Sequence, residues 1–231
     1  MKNTKDRILV VAPHADDETI GMGGTIARLV DEGNIVTVAV MTGHGEVDPH
    51  PLWPSSLWET IRGEFREAME ILGVTDYIFR EIPAVMVADQ KIHELNKITG
   101  DIIEEIKPDI LYIPFINDLH KDHRELFHSF SVHWRPHLPL GRKMREVYAY
   151  ETVSETHLNF PYVEGGFIPN AFVDISGYIE VKLSAMARFK SQIIDFPHPR
   201  SIEAVRALAA WRGSQISAQA AEAFVMVRRI V

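Results

Sequence analysis

The chain has 231 residues, 24 Lys and Arg against 32 Asp and Glu, a formal net charge of −8, and no Cys. That length fits one large domain, and the negative charge makes the surface a poor partner for nucleic acid or anionic lipid. The absence of Cys excludes disulfides, thiol catalysis and thiolate-ligated zinc, so any metal must sit on His, Asp or Glu.

Residues 8–12 form a continuous apolar run, as expected of a strand buried on both faces. A helix follows over 21–32, with Ile26, Leu29 and Val30 on one stripe and Gly33 as its stop. A second buried strand covers 35–41, so the chain opens β-α-β, which requires a parallel pair and a right-handed crossover. Residues 58–72 read as a helix closed by Gly73, 77–79 as a short strand, 92–106 as a helix ended by Pro108, and 109–114 as the next strand. Beyond it, 123–133 reads as helical, 147–150 and 171–175 as strands, and 179–191 and 202–219 as helices. Alternating strands and helices predict an α/β sandwich with a mostly parallel sheet. Two long irregular stretches, 42–58 and 154–170, carry Pro and Gly together with apolar side chains and are expected to be functional loops. The N-terminal charges lead into only five apolar residues, too few for a signal-peptide core, and no run approaches the roughly 20 residues of a membrane span. A cytoplasmic protein is expected.

Two polar clusters carry the chemistry. The first strand exits into His14, Asp16, Asp17 and Glu18, groups that each cost several kcal/mol if buried unpaired. The strand over 109–114 exits into Asp118, His120, Asp122 and His123. In an open parallel sheet the strands' carboxyl ends share one edge, where ligands bind, so the two clusters are expected to meet. Two His and one carboxylate with an open position form the ligand set of hydrolytic zinc sites, where bound water has a pKa near about 7. Asp16 or Asp17 can stay off the metal as the base, and Asp118 and Asp122 can support the ligands.

Other features have blander readings. Gly21-Met22-Gly23-Gly24 lacks the spacing of a phosphate-binding loop and is assigned to close strand–helix packing. His128, His133 and His137 are read as surface or packing residues, and His50, His93, His157 and His198 are given no role. Trp53 and Trp58 flank the sheet-edge loop and can stack on a sugar, while Arg228-Arg229 reads as an ordinary charged terminus.

HADDE at 14–18, GMGGT at 21–25 and HKDH at 120–123 resemble the LmbE/PIG-L-type zinc N-deacetylases, whose signatures read roughly HPDDE and HPDH. TGHGE at 42–46, Glu64, Ala68, Lys182, Arg212-Gly213 and Ala221–Phe224 extend the resemblance over most of the chain. Ala15 and Lys121 stand where the family has prolines; neither position supplies a ligand. The resemblance implies a single Rossmann-like three-layer domain over 1–231, with Zn2+ (or another divalent metal such as Fe2+) on His14, Asp17 and His123. It implies Asp16 as general base, His120 as oxyanion stabiliser or leaving-group acid, and Asp122 as the residue orienting an imidazole. Arg62, with Arg66 competing for the place, is expected to touch substrate, and His44 and Glu46 lie at the same edge. The implied reaction removes the N-acetyl group from an N-acetylglucosaminyl conjugate, and similar proteins form trimers or hexamers. The alternatives are an amidase for a larger acyl group and a non-catalytic sugar- or nucleotide-binding module.

Overall fold

The computed structural model describes residues 5–46 and 49–231. Its elements run β1 (Arg7–Ala12), α1 (Asp17–Asp31), β2 (Ile35–Gly43), α2 (Ser55–Leu72), β3 (Asp76–Pro83), α3 (Ile92–Ile106), β4 (Ile110–Pro114) and α4 (Lys121–Ser131). There follow α5 (Pro139–Lys143), β5 (Glu146–Tyr150), β6 (Ala171–Asp174), α6 (Ile179–Met186), α7 (Ile202–Ser214) and β7 (Ala221–Arg229). Single 3-10 turns cover Val87–Asp89 and Thr156–Leu158.

Seven strands among the described residues make one sheet in the order β3-β2-β1-β4-β5-β7-β6. From β3 to β5 every pairing is parallel; β7 alone is reversed, antiparallel to both β5 and β6. The strand order turns back at β1, whose neighbours β2 and β4 lead away in opposite directions, and the crevice above β1 and β4 is the ligand position of such sheets.

Strand β1 sorts its side chains with period two. Ile8, Val10 and Ala12 face one layer, packing with Met22 and Ile26 of α1, Phe65 and Met69 of α2 and Phe189. Leu9 and Val11 face the other, with Leu95, Ile102 and Ile103 of α3 and Leu126 and Phe130 of α4. Both faces are covered, which is why β1 reads as unbroken hydrophobicity.

The differences from the sequence reading have physical causes. Helix α1 starts at Asp17 rather than 21, because the Asp17 carboxylate suits the positive end of a helix. It breaks at Met22, whose backbone is non-helical (φ −149°, ψ 25°). The buried Glu222 carboxylate takes the N–H groups this break frees, from Gly24 (3.0 Å) and Thr25 (2.6 Å), and is paired with Lys182 Nζ at 2.5 Å. The glycines serve packing, as expected: a Cβ on Gly21 would collide with the Tyr150 ring and stand 3.0 Å from the Glu151 carbonyl, and one on Gly24 would meet Ile175 at 2.7 Å. Gly33 and Gly73 end their helices at φ 85° and 76°, where L side chains are disfavoured.

Strand β7 fell inside the C-terminal stretch that carried no predicted element. It carries an apolar run over 223–227, of the same length as that over 8–12, and pairs antiparallel with β5 and β6. Arg228 is not part of a plain charged terminus: its guanidinium donates to the carbonyls of Trp134, Gly141 (2.8 Å) and Met144. Helix α7 stops at Ser214, and the chain turns into β7 at Ala221.

Gly21→Ala should destabilise the protein by about 1–3 kcal/mol through overpacking. Gly63→Ala, in the interior of α2 with nothing near the added carbon, should stabilise by about 0.5–1 kcal/mol. Denaturant midpoints of the two variants give the comparison.

Candidate metal and acid/base site

The exits of β1 and β4 bring the two polar clusters together. Asp17, in the first turn of α1, is wholly buried, and its Oδ2 accepts the backbone N–H of His14 at 2.9 Å. The same oxygen lies 3.2 Å from His14 Nδ1 and 3.2 Å from His123 Nε2. One carboxylate oxygen therefore sits between imidazoles that are more than a hundred residues apart in the chain.

The far side of each imidazole is held by another carboxylate. His14 Nε2 is 3.2 Å from Asp122 Oδ2, and His123 Nδ1 is 2.8 Å from Asp118 Oδ2. Asp118 is fixed in turn by the Thr156 hydroxyl at 2.6 Å. Asp122 accepts the backbone N–H groups of Val85 (2.7 Å) and Val87 (3.2 Å). Val85 makes its bond from φ 61°, an uncommon conformation for a β-branched residue; such strain collects where surrounding structure over-determines it.

Two three-residue sets, His14–Asp17–His123 and His14–His120–Asp122, have ligand atoms within 4.8 Å of one another. Unpaired atoms separate them. Asp17 Oδ1 and His123 Nε2 are buried without a hydrogen-bond partner, whereas Asp122 is already engaged by two backbone N–H groups and His14. The donor set of His14, Asp17 and His123 fits a divalent cation: two nitrogens and a carboxylate, each with outer support.

The electrostatics of the cation-free cluster agree. Burial disfavours charge on Asp17, but the flanking His123 and His14 hold it well below the usual carboxylate range. Against burial, Asp17 and Asp118 push His123 well above the imidazole range, and hydrogen bonds to Asp122 and Asp17 raise His14 to about 9. Binding of a metal to these ligands would release imidazole protons.

His120 differs. Its Nδ1 accepts the Asp122 N–H at 3.2 Å and caps α4. Burial, together with the positive charge on His14 and His123, lowers it to about 4. A neutral imidazole with Nδ1 as acceptor carries its proton on Nε2. Asp16 is raised to about 6 by burial and by Asp17, with Arg200 opposing. Its Oδ2 accepts from Arg200 Nη1 at 3.1 Å. Glu18 belongs to neither ligand set; it accepts from Thr19 at 2.7 Å, and burial pushes it up to about 8.

A cavity of about 270 Å³ opens over this cluster. His14, Asp16, His120 and Arg200 line its polar end, and Val40, Trp53, Leu57, Trp58, Ile61 and Phe79 its apolar wall. The indole N–H of Trp58 is buried without a partner. Arg62 lines the cavity and pairs with Glu81; Arg66 is not among the lining residues. Nor are His44 and Glu46. Strand β2 continues through Gly43, the His44 carbonyl is tied to the His50 N–H, and Glu46 lines a separate groove beside Arg80 and Glu81.

Sequence reasoning missed three contributors. His50 is buried, bonded through Nε2 to the Ala84 carbonyl (2.8 Å), and lies 4.5 Å from Trp53 ring to ring, so it fixes one wall of the cavity. Gln192 and Arg200 reach the cavity from the segment between α6 and α7; Ser191-Gln192 belongs to the family resemblance but carries no assigned role there, and no motif marks Arg200.

The fold and this site define a class. Residues 9–133 match the family described as PIG-L, GlcNAc-PI de-N-acetylase, and the chain belongs to it. Among its relatives, the diacetylchitobiose deacetylase of Thermococcus kodakarensis is 31% identical over 203 residues, covering 82% of this chain and 71% of that protein. The N,N'-diacetylchitobiose deacetylase of Pyrococcus horikoshii superposes with a TM-score of 0.72 at 24% identity, over 96% of this chain and 83% of that one. GalB, the 4-carboxy-2-hydroxymuconate hydratase of Pseudomonas putida, superposes with a TM-score of 0.75 at 19% identity, over 99% of this chain and 98% of that one. At these identities the superpositions speak for fold, and the hydratase shows that this fold alone does not decide the reaction.

His123→Ala should abolish stoichiometric metal binding, read by elemental analysis. Asp118→Ala, which leaves every ligand in place, should weaken metal affinity by about 10–100-fold in a competition titration with a chelator.

Proposed function

We propose that the chain is a single-domain, zinc-dependent deacetylase that hydrolyses the N-acetyl amide of an N-acetylglucosaminyl conjugate, releasing acetate and a free amine. The observation that carries it is Asp17 Oδ2 lying 3.2 Å from both His14 and His123, with Asp16 adjoining on the cavity wall. Family membership and the 31% identical diacetylchitobiose deacetylase supply the reaction and the sugar.

In this reading His14, Asp17 and His123 hold the metal, which when bound lowers the pKa of water and polarises an acyl oxygen. Zinc is the proposed ion because two imidazoles and a carboxylate form its hydrolytic donor set. Asp16 takes a proton from the attacking water as oxygen bonds to the carbonyl carbon. Burial and the adjoining Asp17 push its carboxyl above the usual range, the direction that suits a group which must both accept and return a proton. The C–N bond then breaks, acetate leaves, and Asp16 passes its proton to the departing amine. His120, neutral with its proton on Nε2, donates to the oxyanion. Asp122 and Asp118 keep His14 and His123 in orientation. Arg62 and the free indole N–H of Trp58 meet the hydroxyls or carbonyl of the substrate. A cytoplasmic location is part of the proposal; the five-residue apolar run near the N-terminus is strand β1, and among the described residues no helix is long and apolar enough to cross a membrane.

A second reading, removal of a larger acyl group, is favoured by one observation. The cavity wall of Val40, Leu57, Ile61 and Phe79 is apolar and offers far more room than an acetyl methyl needs. The identity of the released acid separates the two.

Acetate should be released from at least one of a panel of N-acetylglucosaminyl conjugates by the zinc-loaded protein. Asp16→Asn should keep its metal and lose about 10²–10⁴ in turnover. Metal-replete protein that releases no acid from acetyl or longer-acyl conjugates would instead support a binding module.

A further inference from the structure

Asp16 stands at the N-cap of α1, where an Asp side chain ordinarily folds back to accept a backbone N–H of the first turn. Here it makes no such bond. Among the described residues the single hydrogen-bond partner of its side chain is Arg200, whose Nη1 donates to Oδ2 at 3.1 Å. The pair is well shielded, with Asp16 2% exposed and the Arg200 side chain 21%.

Arg200 is itself held. Its Nε donates to Ser154 Oγ at 3.1 Å, its Nη2 lies 3.6 Å from Glu155 Oε1, and its backbone N–H donates to His198 Nδ1 at 3.1 Å. Ser201, next in the chain, caps α7 by accepting from the Ala204 N–H at 3.1 Å. The guanidinium is therefore clamped between the loop after β5 and the start of α7, and its remaining edge is turned to Asp16. A planar fork suits this three-way contact, which an ammonium group cannot reproduce. Arg200 also lies outside residues 9–133, the part of the chain that matches the family.

We propose that Arg200 is a positioning residue of the reaction: it draws the Asp16 carboxylate away from the helix end and holds Oδ2, leaving Oδ1 to face the water and the leaving amine. This rests on the deacetylase reading with Asp16 as base. It assigns to the C-terminal third of the chain a part in the acid/base step, which neither the two motifs nor the ligand geometry implies.

The test compares zinc-loaded, full-length Arg200→Ala, Arg200→Lys, Asp16→Asn and the double variant Asp16→Asn/Arg200→Ala on whichever conjugate the wild type deacetylates. Arg200→Ala should lower kcat by about 10–100-fold, the usual cost of losing a supporting contact. KM should move by no more than about twofold, because the contact is not to substrate. Metal content should be unchanged. Arg200→Lys should fall between Arg200→Ala and wild type. In the Asp16→Asn background, removing Arg200 should cost at most about twofold further, the signature of two residues acting as one unit. Wild-type kcat in Arg200→Ala overturns the proposal, as does a raised KM at constant kcat or a full additional loss in the double variant. If Arg200→Ala does not fold, Arg200→Lys decides: a kcat equal to wild type overturns it. No acid release by the wild type would sink the deacetylase assignment itself, and a fully active Asp16→Asn would sink Asp16 as base and this inference with it, whereas an inactive Asp16→Asn beside a fully active Arg200→Ala sinks only this inference.

Discussion

Everything at this site depends on one buried negative charge. Asp17 is completely removed from solvent and left with one oxygen unpaired. An isolated carboxylate in such a place costs several kcal/mol even after relaxation. Two imidazoles answer it, each gripped on its outer side by a further buried carboxylate, and those carboxylates are answered by a hydroxyl and two backbone N–H groups. The network alternates donor and acceptor outward until it reaches the backbone. Its unsatisfied atoms lie at the centre: Asp17 Oδ1 and His123 Nε2 have no hydrogen-bond partner, and the donor set around them fits a divalent cation.

Such a network must be mounted rigidly, and the sheet explains how. His14 and Asp17 leave β1, and His120 and His123 leave β4, its direct parallel neighbour. The two turns cannot drift apart without breaking that pairing. Behind them α1 is broken at Met22 and its second half is capped by Glu222, a residue of the reversed strand β7 paired with Lys182 of α6. The break lets the first turn aim Asp17 at the histidines while the rest of the helix packs against α6. The close approach at Gly21 and Gly24 fits the same arrangement: the helix lies too near Tyr150 and Ile175 to carry side chains there.

What the sequence discloses and what it withholds divide along this line. His14, Asp16, Asp17, His120, Asp122 and His123 are legible because each cluster is contiguous and follows an unmistakable apolar run. Strand exits in a parallel sheet share an edge, so the meeting of the clusters could be reasoned without coordinates. Most element positions are legible from apolar periodicity and from Gly and Pro stops. The reversed direction of strand β7 is not, because the apolar run over 223–227 marks a strand without marking its partners. Nor are His50 and Arg200. Both act through a partner far off in the chain, Ala84 for one and Asp16 for the other, and a lone His or Arg in a Pro-containing loop carries no local mark of that. His44 and Glu46 looked available because they follow β2 toward the same edge, but being near an edge in sequence does not turn a side chain into the cavity.

The cavity separates chemistry from selection. Its polar end holds His14, Asp16, His120 and Arg200, which come mainly from the two motifs. Its apolar wall comes from β2, the loop before α2, α2 itself and β3, elements that contribute no ligand. At about 270 Å³ it lies just below the usual size of small-molecule pockets, roughly 300–1,000 Å³. A substrate larger than a single ring and its acyl group would therefore project beyond the mouth. That division lets the wall and the loops of this chain change while Asp17 and its two histidines stay untouched.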